Sequence, residues 1–354
     1  MVTYLDEGAV RAALRWDDLV AAMERALTAF SAGRVLQPVR EWLTIEEGSR
    51  YWGIMPAVGN DAMGLKLVSF YPRNAGTDVP TVMAMVFLVR PDTGEPIAVL
   101  DGRTITAMRT AAVSAAVTKR LASPDSRVLA LLGSGVEAAS HLEALSHVCK
   151  FDEVRVWSRT REHAERFAAR HGARTMDAES AVRGADVIVT ATPAREPILK
   201  GAWLKPGAHV NAIGAPMPTW RELDDQAMAN LLVVESREAV WKESGDVILS
   251  KAQIYAEVGE LFAGAKIISR SETTVFKSVG IETFTFCSSL VTALSVRFLQ
   301  HRQVISHRRR PWIRGVAMVL RSEFGNLRQC LFRHTHRLQS FRQSQPLVQI
   351  GDRL

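Results

Sequence analysis

An α/β protein with a doubly wound parallel sheet and an attached α+β unit is expected from three features of the 354-residue chain. The apolar run Val128–Leu132 stops at Gly133-Ser134-Gly135 and passes into a helical pattern through His141. Short strand patterns then alternate with helical ones from Val154 to Val234, as in a parallel sheet covered on both faces. Before them, residues 35–100 hold several strand-like runs with no comparable alternation. Together they predict a Rossmann-type dinucleotide-binding domain over 121–272, a substrate-binding and dimerisation domain over 1–120, a return segment over 273–283, and a basic tail over 284–354.

Composition excludes the unusual classes. With 47% hydrophobic and 23% charged residues the chain is globular in character. Its net charge of +7 comes from the tail: from Glu282 onward there are 12 Arg, no Lys and 3 acidic residues, and the remainder is slightly acidic. The body is therefore not read as a nucleic-acid binder. The N-terminus lacks a signal-peptide pattern, the longest apolar run (Val79–Val89) is too short for a membrane span and reads as a buried strand, and Cys149, Cys287 and Cys330 share no metal-type spacing. A cytoplasmic protein, without metal or membrane partner, is expected.

In chain order, Asp17–Phe30 places Leu19, Met23, Leu27 and Phe30 on one helical stripe. Val35–Arg40, Tyr51–Pro56 and Gly64–Tyr71 read as extended. Lys66 stands between Leu65 and Leu67, which is costly for an ammonium unless an anion meets it; a lysine pointing out of an edge strand is the competing explanation. Val82–Val89 and Ile97–Leu100 flank Pro91-Asp92-Thr93-Gly94 as a hairpin. An alanine-rich helix follows over Asp101–Lys119. Arg109, near its start, gains nothing from the helix dipole, so it either meets an anion or lies on the surface.

The glycine turn then fits a pyrophosphate. Gly133 permits the turn, Gly135 lets the backbone approach, and Ala138 keeps the helix near the sheet. After the second strand, Val154–Trp157, stand Ser158-Arg159-Thr160 with no acidic residue. An arginine between two hydroxyls suits a 2′-phosphate and favours NADPH over NADH, unless Arg159 is merely a solvated turn residue. Strands over Asp186–Ala191, His209–Ile213 and Leu231–Val234 end in loops that border the ligand crevice. In Lys242–Asp246 (KESGD), Glu243 or Asp246 is a proton donor, a cation partner or a solvated helix start. Thr273–Gly280 reads as a strand closing in a glycine turn.

The ordered set LQPVR (36–40), GIMPA (53–57), LKLVSFY (65–71), DGRTITAMRTAAVSA (101–115), LGSGVEAASH (132–141), WSRT (157–160), GADVIVTAT (184–192), PGAHVNAIGA (206–215), KESGD and TTVFKSVG (273–280) resembles the ornithine cyclodeaminase/mu-crystallin family. The resemblance covers residues 1 to about 280. It implies a homodimeric, NADPH-dependent reductase of cyclic ketimine carboxylates, with Arg40, Lys66 and Arg109 on the substrate carboxylate and Glu243 in the ligand pocket. Arg40, Lys66 and Glu243 are the catalytic set it implies. Its cofactor-contacting set is Thr81, Arg109, Gly133, Gly135, Val136, Glu137, Ser158, Arg159, Thr160, Thr192, Ile213 and Ser278. The cyclodeaminase branch has a catalytic aspartate where this chain has Pro216, which favours reduction over ring closure.

The thyroid-hormone-binding branch carries an arginine at the place of Met217 and a Ser-His pair at Thr81-Val82. A hormone carrier and an inactive splice isoform are the alternatives. The tail from Glu282 keeps no family motif and reads as an alternative, largely disordered C-terminus.

Overall fold

The computed structural model describes residues 2–59 and 62–281; the basic tail of 284–354 lies outside them. Two sheets organise the described residues. The first contains β1 (Thr3–Leu5), β2 (Glu41–Glu46), β3 (Arg50–Val58), β4 (Met63–Phe70), β5 (Val82–Val89) and β6 (Pro96–Asp101), in the order β1-β6-β5-β4-β3-β2. Its pairs are antiparallel except β1 with β6.

The second, eight-stranded sheet is parallel throughout. It holds β7 (Val128–Leu132), β8 (Glu153–Trp157), β9 (Arg174–Thr175), β10 (Val187–Thr190), β11 (His209–Ala212), β12 (Leu231–Val234), β13 (Ile254–Glu257) and β14 (Thr274–Lys277). The order is β13-β12-β14-β11-β10-β7-β8-β9. The chain leaves β7 toward β8 and β9, then returns to lay β10 on the other side of β7. Between β7 and β10 the winding reverses, and doubly wound sheets bind ligands beyond the strand ends at that point.

Helices α1 (Glu7–Ala13), α2 (Trp16–Ser31) and α3 (Gly102–Leu121) join the sheets. The predicted stripe of α2 is inward, with Leu19, Met23 and Leu27 buried. Helix α3 packs against α2, β5 and α4 (Val136–Ser146), and its small residues let those elements approach. Ala111, Ala112, Val113, Ala115, Ala116 and Val117 are all inaccessible. Each buried valine contributes about 1.5–3 kcal/mol relative to exposure. Asp101 caps α3 by accepting from Arg103 N at 3.0 Å. A Cβ on Gly102 would stand 2.8 Å from the Ala84 backbone, so glycine sets how closely α3 meets β5. One hydrophobic core runs through both sheets, from Leu5 to Ile281.

The structure corrects several readings. The segment set apart as a return over 273–283 contains β14, an inner strand hydrogen-bonded between β11 and β12. The apolar run before Val89 is not buried on both faces: Met83 and Met85 are 37% and 43% exposed, alternating with buried Ala84 and Val86. Strands β2, β9 and β13 were not expected. Lys66 lies on β4 between β3 and β5, not on an edge, and it is 1% exposed while Leu65 and Leu67 face the other way.

Candidate active site

The glycine turn sits at the switch point. Gly133 has φ +130°, and a Cβ there would fall 2.6 Å from Ala191 O. Its N–H donates to Trp157 O at 2.9 Å, tying the turn to the end of β8. Gly135 differs: φ is −86°, and an added Cβ would meet nothing within 4 Å. No protein atom requires glycine there, so the open space suits a ligand pressed against the backbone. No side chain caps the first turn of α4, which leaves its N–H groups for an anion.

A groove of about 1210 Å³ opens on this turn. Gly133, Gly135, Val136, Ser158, Arg159, Thr160 and Thr192 line it, and His163, Arg166 and Arg170 add basic character near Arg159. These residues fit a dinucleotide with its diphosphate at α4. Thr81, Arg109, Glu137, Ile213 and Ser278 are not part of the groove wall. The Ser278 hydroxyl is buried and donates to Glu235 Oε1 at 2.9 Å, so its side chain is structural. Thr81 uses its carbonyl to accept from Tyr71 N, and Ile213 packs against the core.

Behind the groove, the ends of β10, β11 and β14 are braced by buried charges that sequence reasoning mostly missed. Glu222 accepts from Thr190 Oγ1, Thr192 N, Thr192 Oγ1 and Gly214 N at 2.6–2.8 Å. Burial, the largest influence, pushes its carboxyl up to about 7, and Lys277 opposes it. Lys277 Nζ donates to Asp246 Oδ2 at 2.8 Å and Gly214 O at 2.6 Å. Asp246 also accepts from Glu222 N and Leu223 N, so of the alternatives for this acid the cation partner holds. Any Cβ on Gly214 would overlap Thr192 O. Glu235 accepts from the Ser278 hydroxyl and from the consecutive N–H groups of Val279, Gly280 and Ile281.

That last turn organises the cations. Arg40 Nη2 donates to Val279 O, and Arg109 Nη1 donates to Ile281 O at 3.4 Å. Gly280 lies between, where a Cβ would stand 3.1 Å from Arg109 Nη2. Arg40 and Arg109 thus meet on one short segment, although 69 positions separate them in the sequence. Arg109 is 3% exposed and its Nε has no hydrogen-bond partner among the described residues. The charges of Arg109 and Lys66 both reach the Glu137 carboxyl on α4, and Arg40 joins Arg109 on the Val279–Ile281 segment.

Glu243 is locked in an ion pair. Its carboxylate takes Arg40 Nε at 2.6 Å and Nη2 at 2.9 Å, with both side chains under a tenth exposed. Such a bidentate pair is charge-assisted and fixes both side chains. Glu243 therefore anchors Arg40. Arg40 in turn lies over Trp42, 5.2 Å from the ring centroid. Met217 packs with Tyr51, Ala215 and Trp220 in an apolar cluster beside this pair.

Fold and groove define a dinucleotide-binding α/β protein with buried cations, Lys66 and Arg109, near its glycine turn. The chain belongs to the ornithine cyclodeaminase/mu-crystallin family, whose model matches residues 3–290. It is 50% identical over 272 residues to the ketimine reductase mu-crystallin of Mus musculus, covering 74% of this chain and 87% of that one. Among solved structures it is similar to the Delta(1)-pyrroline-2-carboxylate reductase of Thermococcus litoralis in complex with NADH and L-proline. That match has a TM-score of 0.79 at 31% identity over 85% of this chain and 98% of the other. An archaeal alanine dehydrogenase dimer with bound NAD matches with a TM-score of 0.79 at 30% identity over 85% and 97%. No helix among the described residues is long and apolar enough to cross a membrane.

Proposed function

We propose that the chain is an NADPH-dependent ketimine reductase that converts a cyclic ketimine carboxylate to the saturated cyclic amino acid. The observation that carries this reading is the gathering of Lys66, Arg109 and the Glu243-anchored Arg40 next to the dinucleotide turn. When bound, the reduced nicotinamide supplies a hydride to the imine carbon. Lys66 and Arg109 hold the substrate carboxylate, and Arg40, fixed by Glu243 and Val279 O, closes the third side. Fixing the carboxylate orients the C=N bond, so these residues act by positioning. Glu222 and Lys277 keep the loops after β10 and β11 in place around the reacting ring.

The NADPH preference is supported by Arg159 between Ser158 and Thr160, with His163 and Arg166 in the same groove. A homodimer is supported by the outer face of the first sheet. There Leu43, Trp52 and Met83 stand in one cross-strand row with Ser69, and Ile54, Leu67 and Met85 in the next. Leu43, Trp52, Met83 and Met85 are exposed in the single chain, a larger apolar row than isolated surface residues make. Free Cys149 accords with a cytoplasmic setting. The carrier alternative would draw on the apolar cluster of Tyr51, Met217 and Trp220 for a hormone ring.

The decisive experiment mixes the purified chain with NADPH and with five- and six-membered cyclic ketimine carboxylates. NADPH oxidation matched by formation of the cyclic amino acid is expected. Tight NADPH binding with no oxidation by either ring size would overturn the reading.

A further inference from the structure

Reducing an imine to an amine requires a proton on nitrogen as well as a hydride on carbon. The acids around the site differ in whether they have one to give. Glu243 is held by Arg40 in two hydrogen bonds. Glu222 and Glu235 each accept from four donors. Asp246 meets Lys277 and two backbone N–H groups. In all four, both oxygens already accept from protein donors, so none has an oxygen free to face a ligand.

Glu137 is different. It lies in the first turn of α4, two residues after Gly135 and behind the groove wall. Its Oε2 is buried and has no hydrogen-bond partner among the described residues, while about a third of the side chain still meets solvent. The charged groups facing it are Arg109 from α3 and Lys66 from β4, the same cations that converge beside the turn. On its own helix His141 Nδ1 is 3.7 Å from Oε2. That ring nitrogen is engaged at 2.7 Å with the Glu137 carbonyl, and Nε2 lies 2.9 Å from Ser114 Oγ. The pattern assigns a neutral imidazole with its proton on Nδ1, and burial holds the His141 pKa down at about 4. His141 therefore brings no positive charge to the acid.

We propose that Glu137 is the general acid that protonates the ketimine nitrogen. The role rests on the ketimine-reductase reading and supplies the donor that Glu243 cannot be. In the step, hydride forms the new C–H bond and the C=N π pair moves onto nitrogen. Nitrogen takes the proton of the Glu137 carboxyl, breaking its O–H bond. Glu137 is left as a carboxylate facing Arg109 and Lys66, and water on its exposed edge returns the proton after the product leaves. Desolvation of the carboxyl, the largest influence, pushes its pKa up to about 7, and Arg109 and Lys66 draw it back. A carboxyl raised toward neutrality keeps part of its population protonated at neutral pH, and that fraction can give its proton.

Wild type, Glu137→Gln and Glu137→Asp test the assignment, each checked for NADPH affinity and melting temperature. Wild-type kcat should fall as pH rises through about 7. Glu137→Gln should lose kcat on the order of 10²-fold near neutrality, with little change in ketimine KM and no such pH limb. Glu137→Asp should restore the limb in part. Independently of turnover, infrared difference spectra of the ligand-free chain between about pH 5 and 9 should contain a carboxylic C=O band titrating near neutrality. Glu137→Gln should remove it and leave any Glu222 band in place. Wild-type turnover with an unaltered Glu137→Gln profile, or a carboxylic C=O difference spectrum that the substitution leaves wholly unchanged, overturns the assignment alone. Absence of turnover in the wild type removes the reductase reading and the acid role with it.

Discussion

Around the ends of β10, β11 and β14 each buried charge is answered inside the protein, whereas beside the first turn of α4 two buried polar atoms are not. Glu222, Glu235, Asp246 and Lys277 have their donors and acceptors matched at ordinary hydrogen-bond distances. Arg109 Nε and Glu137 Oε2 have none among the described residues. Burying an unmet polar group costs free energy; His209 Nε2 and Asn211 Oδ1 on β11 are also without a partner among the described residues, so the contrast lies in the charged groups. The charges of the braced region are matched within the fold, and those next to α4 leave polar atoms open, as the proposed ligand site requires. Substitutions in the first should therefore act on stability, and in the second on binding and turnover.

The largest effect is expected at Lys277. Lys277→Met would strand the Asp246 carboxylate in a fully buried position, and denaturant melts should register a loss of about 3 kcal/mol. An unchanged midpoint would break the contrast at its strongest point. Acid should act on the same core through its histidines. Burial lowers the pKa of both His141 and His209 from 6.5 to about 4. The stability they contribute is present above about pH 6.5 and is lost as pH falls through about 4, on the order of 3 kcal/mol each. Denaturation curves at neutral and acid pH, with wild type beside His209→Asn, read this directly.

Beside α4 the readout changes. Arg109→Gln removes a cation whose one described hydrogen bond is a long contact to Ile281 O, so melting should move little. The ketimine KM should rise on the order of 10²-fold, since a charge-assisted contact to carboxylate is worth about 1.5–3 kcal/mol. A large drop in melting temperature without that rise would place Arg109 with the braced group. The smallest effect falls on Arg159, at the exposed rim of the groove. Arg159→Ala should lower the NADPH-to-NADH preference by about 10-fold, leaving kcat with NADH unchanged. Comparing kcat/KM for the two cofactors measures it.

The same contrast governs what could be read from the residues alone. Lys66, Arg109 and the glycine turn are legible because each violates its surroundings: a cation within an apolar strand, a cation at a helix start, glycines ending a strand. Glu222 and Glu235 violate nothing locally, since acids at strand ends usually face solvent, and only the fold brings Thr190, Gly214 and Ser278 to them. The Arg40–Glu243 pair joins positions 203 residues apart, so Glu243 was legible as a pocket acid but not as a locked one. Strand β14 was legible as a strand but set outside the sheet, because it comes last among the described strands and its inner placement depends on β11 and β12. Edge strand β2 begins and ends in glutamate, with five of its six residues exposed, and gives almost no alternation to detect.

Gly135 carries one more consequence. Because its backbone angles suit any residue and the space beside it is bare of protein, natural drift to alanine there would leave the fold, the melting point and the outer apolar rows untouched. Selection for stability alone has no grip on this position. A lineage that ceased to need the chemistry could lose it through a single methyl group and keep an intact protein free for another use.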